Sequence, residues 1–224
     1  MESLEAYLQP TAVIESEHPA VVAFAREVAG EARDPVDQAV RLFYAVRDQI
    51  RYDPYATPAV LEAFRASVTL EKRSAFCIPK AILLAALARA LGIPSRLGFA
   101  DVRNHLTTKR LDALMRTDLF VFHGYTELRL DGRWLKATPT FNIELCQRFK
   151  VKPLDFDGRH DSVLQAFDQA GRQHMEYVRD RGVFADLPFE ELMAAWREHY
   201  PHLHGFVEES GDFAQEAEEA SRGD

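Results

Sequence analysis

The sequence predicts an α+β fold in which a helix that carries a cysteine packs on an antiparallel sheet. Apolar residues recur at helical spacing over residues 78–91, directly after Cys77. Beyond Gly92 the helical period gives way to strand-like segments, and Asp131-Gly132 is a two-residue hairpin signal between two of them. Further helical patterns before residue 51 and after residue 185 add helices at both ends of this core.

Two helices are predicted before the cysteine, followed by another turn or two of helix over residues 59–66. The first runs from Pro19 to Ala29 and ends at Gly30. The second is capped by Asp34 and has Pro35 at its first position, where the missing N–H costs nothing. Its buried stripe consists of Val36, Ala39, Val40, Phe43, Val46 and Ile50. A residue before proline disfavours helix, so the second helix ends before Asp53-Pro54.

The central helix begins near Cys77 and ends near Leu91. Pro79 is tolerated there because first-turn N–H groups lack intrahelical acceptors. Gly92 suits a left-handed C-terminal cap, and Pro94 prevents continuation. The predicted position of Cys77 is therefore the first turn of a buried helix.

Three strands are predicted after this helix, over residues 95–102, 117–130 and 133–138. The connection between the first two, residues 103–116, carries five basic residues: Arg103, His105, Lys109, Arg110 and Arg116. Leu111, Leu114 and Met115 indicate a short helix within it. A long basic insertion is either a functional segment or a solvent-exposed loop, and the sequence leaves both interpretations open.

The C-terminal part is less strongly patterned. Residues 141–165 are predicted to be irregular with short helical pieces, 173–178 a strand, and 186–200 an amphipathic helix. Residues 207–224 hold seven carboxylates against one arginine, which predicts a poorly ordered tail. We therefore expect one domain over 1–206, with a core at about 36–142, a helical extension at 143–206 and a tail at 207–224.

Composition narrows the class of protein. The chain has 224 residues and a net charge of -8, which argues against nucleic acid as a partner. The two cysteines are far apart in the sequence and do not make a disulfide framework. This favours a location in the reducing cytoplasm. The longest apolar run, residues 81–88, is too short to span a bilayer, so no membrane partner is expected. The oligomeric state is not predicted.

Cys77 and His123 are the candidate catalytic pair. A helix N-terminus favours thiolate by roughly 0.3–1 kcal/mol, whereas one pKa unit corresponds to about 1.4 kcal/mol. Ionising Cys77 therefore needs a further group, and His123 on the central strand of the predicted sheet can supply an imidazolium. The alternatives are a small buried thiol and a hydrogen-bonded structural histidine.

The residues around this pair resemble the transglutaminase-like superfamily. The resemblance rests on Cys77, the run Leu91-Gly92-Ile93-Pro94-Ser95-Arg96, the segment from His123 to Gly132-Arg133-Trp134, and Pro139-Thr140, within residues 36–142. This papain-like family includes transglutaminases and related microbial cysteine proteases or amidases. The resemblance implies a papain-like α+β core, with Cys77 as the nucleophile and His123 as the general base.

Three positions depart from the family pattern. Ala75 stands where the family has glycine, and Tyr125 where it usually has tryptophan. Thr138 occupies the position of the third catalytic residue, an aspartate that orients and stabilises the imidazole. Either Thr138 orients His123 weakly, or Asp101 or Asn142 replaces the acid, or the site is inactive.

The sequence thus predicts an enzyme that acts on amide or peptide bonds, by hydrolysis or acyl transfer through a Cys77 thioester. A peptide or protein is the expected substrate, and neither a metal nor an organic cofactor is expected. The alternative is an inactive module that binds a peptide in the same cleft. Two other features are interpreted as structural: Cys146, and the histidines His199, His202 and His204, which Pro201 interrupts.

Overall fold

The computed structural model describes residues 3–55, 60–105, 107–203 and 212–222. The α-helices in these residues are α1 (Pro19–Ala29), α2 (Pro35–Gln49), α3 (Ala66–Lys72), α4 (Cys77–Ala90), α5 (Lys109–Met115), α6 (Ile143–Arg148), α7 (Phe189–His199) and α8 (Phe213–Arg222). The strands are β1 (Arg51–Tyr52), β2 (Ser74–Ala75), β3 (Ser95–Asn104), β4 (Leu119–Leu130), β5 (Arg133–Ala137) and β6 (Met175–Phe184). The predicted α+β fold is confirmed.

The main sheet has four antiparallel strands in the order β5-β4-β3-β6. Asp131 and Gly132 form the turn between β4 and β5, and both have positive φ, as a two-residue hairpin of this kind requires. Ala100 on β3 pairs with His123 on β4. An irregularity in the register follows Ala100, and Phe122 on the opposite strand has a φ of 59°. His123 therefore directly follows a local break in the ladder.

The sequence predicts only part of strand β6 and does not place it in the core. In the structure it pairs with β3 along its length, from Leu97–Phe184 to Asn104–Met175. The segment 143–206 therefore contributes a strand to the main sheet as well as the helices α6 and α7. Sequence periodicity cannot detect this pairing, because it joins residues that are far apart in the chain.

Helix α4 lies at the centre of the molecule. Every residue from Ile78 to Arg89 is buried. The sheet covers one side, where the Thr126 hydroxyl donates to the Ala81 carbonyl at 2.8 Å, and α1, α2 and α3 pack around the rest. No helix in the described parts of the chain is long and apolar enough to cross a bilayer. The packing of α4 in the core fixes the position of this helix, and therefore the position of Cys77 at its first turn.

Lys80 is a charged residue on the inward face of α4. Its side chain is fully buried, and Nζ donates to the carbonyl of Arg47 at 3.0 Å and to that of Ile50 at 2.5 Å. These carbonyls lie at the C-terminal end of α2, where backbone acceptors lack helical partners. Burial lowers the pKa of Lys80 to about 7. The lysine thus joins α2 to α4 through hydrogen bonds.

Part of the expected disordered tail is a helix. Residues 213–222 form α8, in which Phe213 and Ala217 are buried four residues apart on one face. Two of its carboxylates have cationic partners: Glu216 pairs with Arg110, and Glu218 with Arg148. The acidic composition suggested disorder, whereas partners elsewhere in the chain stabilise the helix. Residues 204–211 and 223–224 lie outside the described residues.

Candidate active site

Cys77 is the first residue of α4 and is brought to the sheet by Gly124. The short strand β2 ends two residues before Cys77 and pairs with β1, which fixes the approach of the chain. On β4, a Cβ added to Gly124 would lie 3.2 Å from the Cα of Ile78, so only glycine allows this approach without a shift. The backbone N–H of Gly124 lies close enough to the sulfur of Cys77 to lower the pKa of the thiol.

His123 precedes that glycine and is buried on β4. Its side chain lines the same cavity as Cys77. Its Nε2 atom has no hydrogen-bond partner among the described residues. The structure therefore brings the two predicted residues to one cavity, on adjoining elements of the core.

Burial keeps both groups neutral. It raises the pKa of Cys77 to about 11, although the N–H groups of Gly124, Ile78 and Cys77 itself counteract part of this rise. It lowers the pKa of His123 to about 4. At neutral pH these shifts favour a thiol and a neutral imidazole, whereas the sequence predicts a thiolate–imidazolium pair. The cause is desolvation, which exceeds the small contribution of a helix N-terminus.

Thr138 directly follows β5, whose last residue Ala137 pairs with Thr126 on the histidine strand. Its backbone N–H donates to the carbonyl of Ser162 at 2.9 Å. Its hydroxyl is buried and, in the described part of the chain, has no hydrogen-bond partner. Thr138 thus adds a hydroxyl, and no charge, beside the histidine strand.

The two alternative third residues have other partners. Asp101 accepts from Arg181 Nε at 2.5 Å and from the Phe122 N–H at 3.1 Å. The side-chain oxygen of Asn142 accepts the Tyr52 N–H at 3.1 Å. Asp101 thereby supports the backbone immediately before His123, and Asn142 holds β1 beside the cavity.

The cavity above Cys77 has a volume of about 370 Å³ and is mainly apolar. Its aromatic lining comprises Tyr52, Tyr55, Phe76, Phe120, Phe122, Phe141, Phe149, Trp196, Tyr200 and Phe213. Helix α5 and its C-terminal end add Leu111, Ala113, Leu114, Met115 and Arg116. The basic insertion therefore forms one wall of this cavity, which supports its functional interpretation.

Helix α8 closes the cavity on another side. Phe213 packs edge-on against Tyr52 and Tyr55, with ring centroids 5.6 Å and 5.9 Å away. The Glu216 carboxylate accepts hydrogen bonds from the hydroxyl groups of Tyr55 and Thr108, the latter at 3.0 Å. Because Thr108 caps α5, these contacts connect α8 to the insertion.

His174 is a cavity residue that sequence reasoning missed. It stacks on Phe141 with ring centroids 6.0 Å apart, and burial lowers its pKa to about 4. Its Nδ1 atom has no hydrogen-bond partner within the described ranges. No local signal marks it, because the segment before β6 reaches the cavity only through the pairing of β6 with β3.

Of the features that the sequence marks as structural, Cys146 lies in the interior, whereas His202 also lines the cavity. Cys146 is buried, and desolvation raises its pKa to about 12. His202 Nε2 lies 2.9 Å from the Leu114 carbonyl, and His204 is outside the described residues. No group of three or more metal-binding side chains occurs in the part of the chain that the structure describes. Arg96 and Glu127 form an ion pair at 2.7 Å, with the Arg96 guanidinium 4.1 Å from the Trp134 ring centroid.

Comparison with known proteins gives one family and two similar structures. The model of the transglutaminase-like superfamily matches residues 22–139. A candidate cysteine protease from Cytophaga hutchinsonii has 18% sequence identity and a TM-score of 0.50, over 82% of this chain and 56% of that one. A candidate protease from Parabacteroides distasonis has 13% identity and a TM-score of 0.38, over 57% of this chain and 26% of its own. No curated protein matches the sequence.

The first of these structures shares the fold, and this chain spans a little over half of its length. The family match covers more than half of the present chain and includes Cys77, His123 and Thr138. It stops before α6, so α6, β6, α7 and α8 lie outside it. On this match and on the architecture described above, the chain belongs to the transglutaminase-like superfamily.

Proposed function

We propose that this protein is a cysteine enzyme that acts on amide or peptide bonds. The observation that carries the proposal is that Cys77, at the start of α4, and His123 line one cavity, with Gly124 next to His123 packed against the first turn of α4. The sulfur of Cys77 attacks the carbonyl carbon, the C–N bond breaks, and the amine leaves with a proton from His123. Water or a second amine then releases the acyl group from sulfur.

The neutral state of the pair defines the role of His123. Because the thiol pKa is raised to about 11 and the imidazole pKa lowered to about 4, the proton is on sulfur before reaction. His123 takes this proton as the sulfur–carbon bond forms, as a general base does. Thr138 suits this mechanism, because an aspartate would favour a charged ring before substrate binds.

The backbone N–H of Cys77 is our proposed donor to the developing oxyanion. It belongs to the first turn of α4, where N–H groups have no helical acceptors. A peptide or protein is the proposed substrate, and a reducing compartment such as the cytoplasm, which keeps Cys77 as a thiol, suits the chemistry. The net charge of -8 disfavours nucleic acid.

A second candidate function is that of an inactive module that holds a peptide in the same cavity. The neutral thiol and the absence of a carboxylate at position 138 favour it. The two functions differ in what removing His123 does. In a binding module, His123 has no proton to transfer, so its loss leaves the chemistry of Cys77 unchanged.

The test is Cys77-dependent cleavage of a peptide-amide library, in the parent, Cys77→Ser and His123→Ala, all with Cys146→Ser. We expect product in the parent, none with Cys77→Ser and a loss of about 10²–10⁴-fold with His123→Ala. The rate of Cys77 alkylation by iodoacetamide is measured against pH alongside. No turnover, together with alkylation rates unaffected by His123→Ala, would select the binding module.

A further inference from the structure

We propose that the substrate carries a large apolar group next to the scissile amide, and that this group fills the cavity above Cys77. The inference rests on the proposed function and adds the substrate class. The shared chemistry is an aliphatic or aromatic group, whether a fatty acyl chain or the side chain of a residue such as phenylalanine supplies it.

The first argument is the lining. Aromatic rings reach the cavity from β1, β4, α7 and α8, and aliphatic side chains from α5. Burying apolar surface against such a wall is favourable in proportion to the area removed from water. Burial against aromatic rings adds shape selectivity, because flat faces and edges accept planar or extended groups.

The second argument is the charge of the lining. Among the described residues that line the cavity there is no aspartate or glutamate, and Arg116 is the one permanent cation, on an exposed position. A carboxylate pushed against the buried aromatic rings would lose hydration without gaining a partner there. Acidic side chains are therefore disfavoured next to the scissile bond.

The third argument is size. A volume of about 370 Å³ equals the space of about twelve water molecules at about 30 Å³ each. A single methyl group would leave most of this space unfilled, whereas an octanoyl chain or a benzyl side chain occupies much of it. The cavity therefore discriminates by size as well as by polarity.

Two histidines in the lining have a ring nitrogen without a hydrogen-bond partner among the described residues. They are His123, on the same strand as Gly124, and His174, which directly precedes β6. His123 serves the reaction. His174 is left to meet a polar atom of the substrate, such as the carbonyl of a second amide.

The test uses four amides of one design: N-methyloctanamide, N-acetyl-phenylalanine methylamide, N-acetyl-aspartate methylamide and N-methylacetamide. Methylamine release is measured for the parent and for Cys77→Ser. Each buried methylene contributes about fourfold, so with partial burial we expect N-methyloctanamide to exceed N-methylacetamide by about 10²–10³-fold in kcat/KM. The phenylalanine amide should exceed the aspartate amide similarly. The apolar amide with the higher kcat/KM shows whether a fatty acyl chain or an aromatic side chain supplies the apolar group.

Binding to Cys77→Ser separates the two proposals. Binding is followed by the fluorescence of Trp196, which lines the cavity. Tight binding of the apolar amides without turnover by the parent overturns the proposed function and supports the substrate class. Turnover of the aspartate amide or of N-methylacetamide in preference to the apolar amides overturns the substrate class and leaves the function in place.

A matched pair of variants on α5 locates the effect. Leu114→Asp puts a carboxylate into the cavity wall, whereas Lys109→Asp puts one on the exposed part of the same helix, outside the lining. We expect Leu114→Asp to weaken binding of N-methyloctanamide to Cys77→Ser at least tenfold and Lys109→Asp to leave it unchanged. If both variants are folded by circular dichroism and bind N-methyloctanamide equally well, the cavity is not the site of the apolar group.

Discussion

Gly124, which directly follows His123 on β4, packs against the first turn of α4, and its backbone N–H lowers the pKa of the Cys77 thiol. This contact is possible because Gly124 has no Cβ: an added one would meet the Cα and Cγ1 of Ile78 at 3.2 Å. The absence of a side chain at Gly124 therefore permits the close approach of the sheet to the first turn of α4, and the position of the sulfur depends on that approach.

We predict that Gly124→Ala disturbs the site more than it disturbs the fold. The added methyl group must displace Ile78 or β4 by a few tenths of an ångström, at a cost of about 1–3 kcal/mol in unfolding free energy. Urea unfolding measures this cost, and turnover measures the loss at the site. A variant with parent stability and parent activity would contradict the role of the glycine.

We predict that Thr138→Asp changes the protonation of the pair. A carboxylate beside the histidine strand favours imidazolium, so the pKa of His123 should rise from about 4 and that of Cys77 should fall from about 11. The pH profile of Cys77 alkylation should shift towards acid by at least one unit.

Asp101→Asn is the control for that variant. Asp101 bonds Arg181 and the Phe122 N–H, so its loss should lower stability and leave the alkylation profile in place. If Thr138→Asp and Asp101→Asn shift the profile equally, position 138 has no special relation to His123.

We predict that Lys80 makes stability depend on pH. Below about pH 7 the Lys80 amine is protonated in both the folded and the unfolded state, and the buried charge lowers the unfolding free energy. Between about pH 7 and pH 10 the folded state holds fewer protons on Lys80 than the unfolded state, so the unfolding free energy rises with pH.

Lys80→Met isolates this effect, because all other groups titrate alike in the two proteins. From pH 7 to pH 9.5 the unfolding free energy of the parent should gain about 2–3 kcal/mol relative to Lys80→Met. Urea unfolding at the two pH values checks it. A constant difference would mean that Lys80 stays in one protonation state throughout.

We predict that loosening α8 opens the cavity. Glu216→Gln weakens the contacts to Arg110 and Thr108, and access to Cys77 should increase. Alkylation by the bulky reagent N-benzyl iodoacetamide should accelerate about threefold to tenfold, in line with a loss of roughly 1 kcal/mol of contact energy.

Glu219→Gln is the matched control, since Glu219 lies on the exposed side of the same helix. It should alkylate at the parent rate. Acceleration in both variants would attribute the effect to the net charge of α8 and not to its contact with the insertion.

The elements that the sequence predicts correctly are those encoded locally. The bounds of α1 and the positive φ of Gly92 follow from nearby proline, glycine and apolar spacing. The Asp131-Gly132 turn follows in the same way. These signals place Cys77 on the first turn of a buried helix and His123 on a central strand.

The features that sequence reasoning missed depend on contacts between distant segments. His174 reaches the cavity because β6 pairs with β3, and α8 is held by Arg110 and Tyr55. The neutral state of Cys77 and His123 is equally hidden in the sequence, because desolvation depends on what surrounds a group. Motif spacing identifies the two residues of the pair but carries no information about how deeply they are buried.

The pairing of β6 with β3 has a consequence for synthesis of the chain. Before β6 has been synthesised, β3 presents an unpaired edge with free N–H and C=O groups beside apolar side chains. Because contacts between distant segments form slowly, this edge stays exposed for a further interval after β6 has emerged. A chaperone that shields exposed strands during that interval should therefore raise the yield of folded protein.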